Sequence, residues 1–143
     1  MSGKTLFTLL SFVLVFLTFN LSMVNAQSNI NVKIFHIEKN EIIKTIPTNS
    51  KVQVEVTKII KEIDGVVKHF KPIPDKGYMI KIPIEPAQQV KNKWINDLID
   101  EVIIIIPEEG EPYLLIFDDE NKSHFLTFQT KIDTLLNTLN FSL

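Results

Sequence analysis

The sequence predicts an α+β domain built mainly on an antiparallel sheet. Runs of β-branched and aromatic residues alternate with turn formers in the last third of the chain. An apolar stripe of helical period follows Ser50. The hydrophobic fraction of 45% and the charged fraction of 22% are typical of globular proteins. We therefore expect an N-terminal hairpin, an edge strand and a C-terminal three-strand meander, packed by an N-terminal amphipathic helix, a short middle helix and a C-terminal helix.

The N-terminus has the pattern of a secretory signal peptide. Lys4 precedes a long apolar run, which ends before the sequence VNA at residues 24–26. We expect cleavage after residue 26, which leaves residues 27–143 as a single exported α+β domain. The alternative is an uncleaved anchor through residues 5–24, which would bring the domain into contact with a membrane. Lys, Ile and Asn are frequent and have AT-rich codons, which suggests a low-GC genome and so a bacterial origin.

The first part of the exported chain predicts a hairpin followed by a helix. The runs Ile30–Ile37 and Ile42–Ile46 are β-rich and are joined by a polar link. The stripe that follows predicts an amphipathic helix from Ser50 to about Phe70, where the downstream prolines end it. Ser50 and Gln53 have the spacing of a capping box.

The middle of the chain predicts a strand and a short helix. Residues 78–85 alternate between apolar and polar side chains, and Pro83 places this strand at a sheet edge because proline cannot donate to the ladder. Apolar residues then recur at helical spacing from Ala87 to Leu98, and Pro86 is tolerated in a first turn.

The C-terminal third predicts the meander and the last helix. Its strands are Val102–Ile106, Tyr113–Phe117 and His124–Phe128. The first of these is apolar on both faces, so we expect a central strand with helices covering both faces of the sheet. A final stripe predicts a helix opened by a cap at residues 130–133; its apolar members are Ile132, Leu135, Leu136 and Leu139.

Composition narrows the classes of partner. The net charge is -2, and every basic residue is Lys, so the sequence gives no support for a nucleic-acid partner. The chain contains no Cys, which excludes disulfides and thiol chemistry. We expect no cofactor.

The acidic and histidine residues do not form a recognisable catalytic or metal motif. Glu108, Glu109 and Glu111 precede the middle strand of the meander, and residues 118–121 follow it. A strand of about five residues separates the two patches by roughly 16 Å, so we interpret them as solvated turns. His36, His69 and His124 lack metal-ligand spacing, and we expect no metal site.

These observations favour a binding domain over an enzyme. Tyr78, Trp94 and Tyr113 are the candidate binding residues, although aromatic residues also serve as core packing. We expect a non-enzymatic module that binds a protein, peptide or cell-envelope component through a sheet edge or an aromatic face. The alternatives are a small secreted hydrolase that uses dispersed carboxylates with His36 or His124, and a protease inhibitor that presents the link Pro72–Gly77.

Overall fold

The computed structural model describes residues 2–4, 30–68 and 71–143. The signal segment predicted for residues 1–26 lies outside the described residues except for its short stretch 2–4, as does the alternative anchor at residues 5–24. In the part of the chain that is described, no helix is long and apolar enough to cross a membrane. Export and cleavage concern residues outside the described part of the chain, so they stay predictions.

Residues 30–143, apart from 69 and 70, form a seven-stranded antiparallel sheet with two helices. The mainly sheet α+β class is thus confirmed. The strand order across the sheet is β2-β1-β4-β5-β6-β7-β3. In chain order the elements are β1 (Asn31–His36), β2 (Glu41–Pro47), α1 (Ser50–Lys61), β3 (Ile63–Val66), β4 (Gly77–Lys91), β5 (Asn96–Pro107), β6 (Tyr113–Phe117), β7 (Ser123–Phe128) and α2 (Asp133–Thr138).

The N-terminal hairpin is confirmed as β1 and β2. The N–H of Asn40 donates to the carbonyl of Ile37 at 3.1 Å, and Asn40 has a φ of 53°. Asparagine tolerates this left-handed conformation, which closes the turn. The register shifts between Ile34 and Phe35, so β2 carries an irregularity in its first half.

Helix α1 is shorter than predicted. It ends at Lys61, and the chain continues as β3, which pairs with β7; the predicted helix to Phe70 is wrong. Ile63 and Val66 are β-branched, and pairing with β7 supplies their backbone with ladder partners that a helix end would lack. The predicted capping box at Ser50 is also wrong, because Asn49 is the N-cap and its side chain accepts from the N–H of Val52 at 3.0 Å.

The predicted middle helix is wrong, because residues 87–98 belong to the long hairpin of β4 and β5. The register of this hairpin shifts between Pro83 and Gln88. Val90 keeps the buried alternation of Ile80 and Ile82 along β4, whereas Ala87 is exposed and Leu98 is 60% exposed. The apolar residues whose spacing suggested a helix therefore do not share one buried face.

The prediction that Pro83 lies on an edge strand is wrong as well, since β4 lies between β1 and β5. Pairing with β1 extends along β4 only as far as Lys81. The N–H of Ile37 donates to the carbonyl of Gly77 at 3.0 Å, so the backbone of Gly77 points towards β1. Backbone groups of alternate residues point to the same side of a strand, so the backbone of Pro83 also points towards β1. Pro83 lies beyond Lys81, the last residue of β4 that pairs with β1. Its missing N–H therefore interrupts no bond to β1.

The main core lies between the two helices and one face of the sheet. Buried side chains of α1, α2 and the sheet form one apolar cluster, and the final apolar stripe is buried as predicted. The predicted cap of α2 is wrong: Ile132 is the N-cap without a side-chain hydrogen bond, and the hydroxyl of Thr130 instead donates to Glu62 Oε2 at 2.6 Å.

The opposite face of the sheet is covered in part by a connecting segment. β5 is the central strand, as predicted. Both helices of the described residues pack against the other face, so for this part of the chain the expectation of helices on both faces is wrong. A smaller cluster of Ile105, Tyr113 and Leu115 is buried there, with Val67 packed against it. The hydroxyl of Tyr113 also donates to the carbonyl of Pro72. The β3–β4 link thus covers part of this face.

Candidate functional site

The three aromatic residues predicted to bind a ligand lie in different places. Tyr78 is near the start of β4, and its side chain packs against the main core. Trp94 is in the turn at the other end of the same strand. Tyr113 lies in the smaller cluster on the opposite face. The structure therefore does not bring them together into one aromatic surface.

Tyr78 does line a cleft at one end of the sheet. His36 pairs with Tyr78, which pairs in turn with Ile106, so three neighbouring strands present a row of side chains on the helix-covered face. The cleft has a volume of about 320 Å³, at the small end of the range for ligand pockets. The residues that line it are His36, Glu38, Lys76, Gly77, Tyr78, Ile106, Pro107, Glu108 and Leu143.

The aromatic side chains of this cleft are held by edge contacts. The ring centroids of His36 and Tyr78 are 5.0 Å apart with an interplanar angle of 73°. Those of Tyr78 and Phe141 are 5.2 Å apart with an angle of 79°. The N–H of Lys39 donates to Nδ1 of His36 at 3.3 Å. Packing on one side and a turn hydrogen bond on the other thus orient the rings.

The charged groups of the cleft belong to its rim. Lys76 Nζ lies 3.9 Å from an Oε1 atom of Glu38, and both side chains are more than half exposed. A pair this long and exposed contributes little stability. Glu108 supplies a second carboxylate. With neutral histidine, the lining side chains carry one formal positive and two formal negative charges.

Gly77 permits the close approach of β4 to the end of β5 beneath the cleft. Its φ is +124°, and a Cβ at this position would lie 2.1 Å from the carbonyl oxygen of Ile106. Only glycine fits both the conformation and the space. The sequence places Gly77 at the end of the link Pro72–Gly77 but does not predict this steric requirement.

A cluster of three acidic residues lies at the opposite end of β5. Asp97, Asp118 and Asp119 each place a carboxylate oxygen within 4.8 Å of the others, and this is the group in the described residues that could hold a hard cation. The sequence missed Asp97, because the predicted middle helix removed it from the sheet. Asp118 and Asp119 lie in the β6–β7 link, one strand away from Glu108, as predicted.

The hydrogen bonds of Asp97 and Asp118 give this cluster a structural role. Asp97 accepts from the N–H groups of Leu98 and Asp119, both at 2.8 Å. Asp118 accepts from the N–H of Lys122 at 2.8 Å and lies 2.8 Å from Nε2 of His124. All four carboxylate oxygens of these two aspartates are thereby engaged. They fix the β6–β7 link against the start of β5.

The same contacts shift the pKa values of the cluster in opposite directions. The hydrogen bond with His124 lowers the pKa of Asp118, and the backbone N–H of Asp119 lowers the pKa of Asp97. The side-chain hydrogen bond with Asp97 and the repulsion from its charge raise the pKa of Asp119. Asp119 is therefore the member whose ionisation the fold disfavours.

The outer strand β2 presents a second candidate surface. It has a neighbour on one side only, β1. The N–H of Thr48 donates to the carbonyl of Ile30 at 3.0 Å, so the backbone of Thr48 points towards β1. Successive residues of a strand point their backbone groups to opposite sides, so the N–H and C=O of Thr45, three residues earlier, point away from β1. Ile42 is 54% exposed and Ile43 is 40% exposed on this strand. Backbone groups and apolar side chains are thus accessible together.

A groove of about 700 Å³ separates α1 from the irregular part of β4. Gln53 spans one end of it: its Nε2 donates to the carbonyl of Pro83 at 2.8 Å, and its Oε1 accepts from the N–H of Glu85 at 3.2 Å. The amide of Gln53 thus bonds the backbone of β4 just beyond the last residue that pairs with β1, where a longer β1 would continue the ladder. Val54, 54% exposed, lines the helical wall.

Comparison of the chain with protein-family models, with curated protein sequences and with solved structures gave no match. The function must therefore be inferred from the geometry of the chain itself.

Proposed function

We propose that the chain is an exported domain that binds a short, extended peptide segment of a partner without catalysing a reaction. The single observation that carries this proposal is the outer strand β2, with its free flank and its exposed Ile42 and Ile43. A peptide that adds to a sheet edge gains main-chain hydrogen bonds, and side-chain contacts give it specificity.

The ends of β2 limit the partner to a short segment. The register shift near the start of β2 disturbs one end of the ladder. Pro47 closes the other end and has no N–H to donate. The bulge and the terminal proline are features that keep sheet edges from pairing without limit. A few residues of partner strand fit between them, along residues 44–46, and an apolar side chain at the end of the segment reaches the exposed isoleucines of the irregularity.

Selection of phage-displayed peptides on residues 27–143 tests this proposal. We expect enriched sequences with β-branched or aromatic residues, whose affinity falls about tenfold when both Ile42→Thr and Ile43→Thr are introduced, since about 1.4 kcal/mol of apolar contact is lost. Val54→Thr is the matched control, because Val54 is as exposed as Ile42 but lies on α1. A selection without enrichment, or peptides that bind the double variant equally well, would contradict the proposal.

The cleft at the end of the sheet favours a second candidate, the small secreted hydrolase. It places His36 in one concavity with Glu38 and Glu108, which are the types of group that general acid–base chemistry uses. Hydrolysis of chromogenic ester, glycoside or peptide substrates by the purified domain, abolished in His36→Ala and retained in His124→Ala, would support this function. Equal activity in the two variants would remove it.

A further inference from the structure

The cleft lined by Tyr78 has a charge pattern that selects among ligands. Its inner surface is aromatic and aliphatic, from Tyr78, His36 and Ile106, while its rim carries Glu38, Glu108 and Lys76. Aromatic rings beside carboxylates attract organic cations, because the ring quadrupole and the carboxylate charge act in the same direction. A ligand with an apolar body and a positive end matches both parts.

The rim carboxylates are accessible to such a ligand. The Glu38–Lys76 contact is 3.9 Å long and solvent-exposed, so a second cation can compete for Glu38 at little cost. Glu108 makes no ion pair within the described residues. One net negative charge is therefore left at the mouth of the cleft.

We propose that this cleft binds a primary ammonium group on an aliphatic chain, with the chain against Tyr78 and the ammonium between Glu38 and Glu108. The volume of about 320 Å³ suits a single side chain or a small diamine rather than a larger ligand. The lysine side chain of a peptide and a free diamine share this chemistry. The proposal is independent of peptide binding at β2.

Titration of the 15N-labelled domain with two probes tests the site. Nα-acetyl-lysine methylamide represents a peptide side chain, and 1,5-diaminopentane represents a free diamine. We expect shifts of the amides of Tyr78 and Gly77, with affinities on the order of millimolar. Stronger binding of one probe identifies the source of the ligand. The uncharged Nα-acetyl-norleucine methylamide should leave these amides unshifted.

Variants of the rim give opposite expected effects. Glu38→Gln and Glu108→Gln should each weaken binding about two- to fivefold, while Lys76→Gln should tighten it because a competing cation is removed. Glu109→Gln is the matched control, since Glu109 is exposed and adjacent but does not line the cleft. Absence of shifts with both ammonium probes, equal shifts with the norleucine probe, or weaker binding in Lys76→Gln would overturn the proposal.

Discussion

At the scale of single residues, the fold places the carboxylate of Asp119 beside other negative charges. Its carboxylate faces Asp97, which is itself held in the ionised form by two backbone N–H groups. The raised pKa of Asp119 means that the fold favours its protonated form. The stabilising contribution of protonated Asp119 is fully present below the ordinary pKa of 3.8, and it is lost as the pH rises through the raised pKa of the folded protein.

We therefore expect Asp119→Asn to raise the melting temperature at pH 7, because the repulsion from Asp97 is removed while the backbone hydrogen bond remains. Below about pH 3 the two proteins should melt alike, since Asp119 of the original chain is then protonated. Thermal unfolding followed by circular dichroism at both pH values measures the difference.

Glu109→Gln removes the same formal charge at the opposite end of β6 and serves as the control. It should leave the melting temperature unchanged at pH 7. A lower melting temperature of Asp119→Asn at pH 7 would mean that the carboxylate of Asp119 has a stabilising partner, such as a bound cation.

At the scale of elements, the sequence identified the strands of the hairpin and the meander but not the points where elements begin and end. The helical stripe after Ser50 continued through Val66 and Val67 because β-branched residues also fit a helical period over a few positions. Tertiary pairing with β7 decided the conformation in favour of a strand. No local pattern reports a partner strand that lies about sixty residues away.

Gln53 makes most of the side-chain hydrogen bonds at the junction of α1 with β4, where Thr57 and Gln88 add one at 3.4 Å. The amide of Gln53 makes hydrogen bonds with Thr48, Pro83 and Glu85, at 2.9, 2.8 and 3.2 Å. We expect Gln53→Leu to lower the free energy of unfolding by about 1–3 kcal/mol, because the partly buried carbonyl of Pro83 loses its hydrogen-bond donor. Urea denaturation measures the change.

Gln89→Leu is the control for this substitution, since Gln89 is exposed and its amide contacts only Asn96, at 3.2 Å. Its effect should be within about 0.5 kcal/mol of zero. Equal effects of the two substitutions would show that Gln53 does not hold the junction.

At the scale of the whole molecule, the sheet buries side chains on both faces, although both described helices pack against one face. Ile104 faces the helices and Ile105 faces the β3–β4 link, and each is 0% exposed. We expect Ile104→Ala and Ile105→Ala each to cost about 2–5 kcal/mol of unfolding free energy. Chemical denaturation of both variants measures these costs.

Leu98→Ala provides the reference for this pair, because Leu98 lies on the same strand and is 60% exposed. Its cost should be well below 1 kcal/mol. A cost for Ile105→Ala as small as that for Leu98→Ala would contradict the burial of the second face.

The cleft could not be assembled from the sequence. The sequence singled out Tyr78 as an aromatic candidate and His36 as a histidine, but their proximity depends on the register of β1 with β4. Glu108 joins them only because β5 runs alongside β4. The role of the link Pro72–Gly77 as a protease-binding loop stays a prediction; Pro72 contacts Tyr113 on the opposite face.

The most direct test of peptide binding at β2 is amide hydrogen exchange of the domain with and without a selected peptide. Strand addition predicts that the N–H of Thr45, which points away from β1, becomes protected when the peptide is bound. Protection confined to the groove between α1 and β4, or unchanged exchange at Thr45, would contradict binding at the sheet edge.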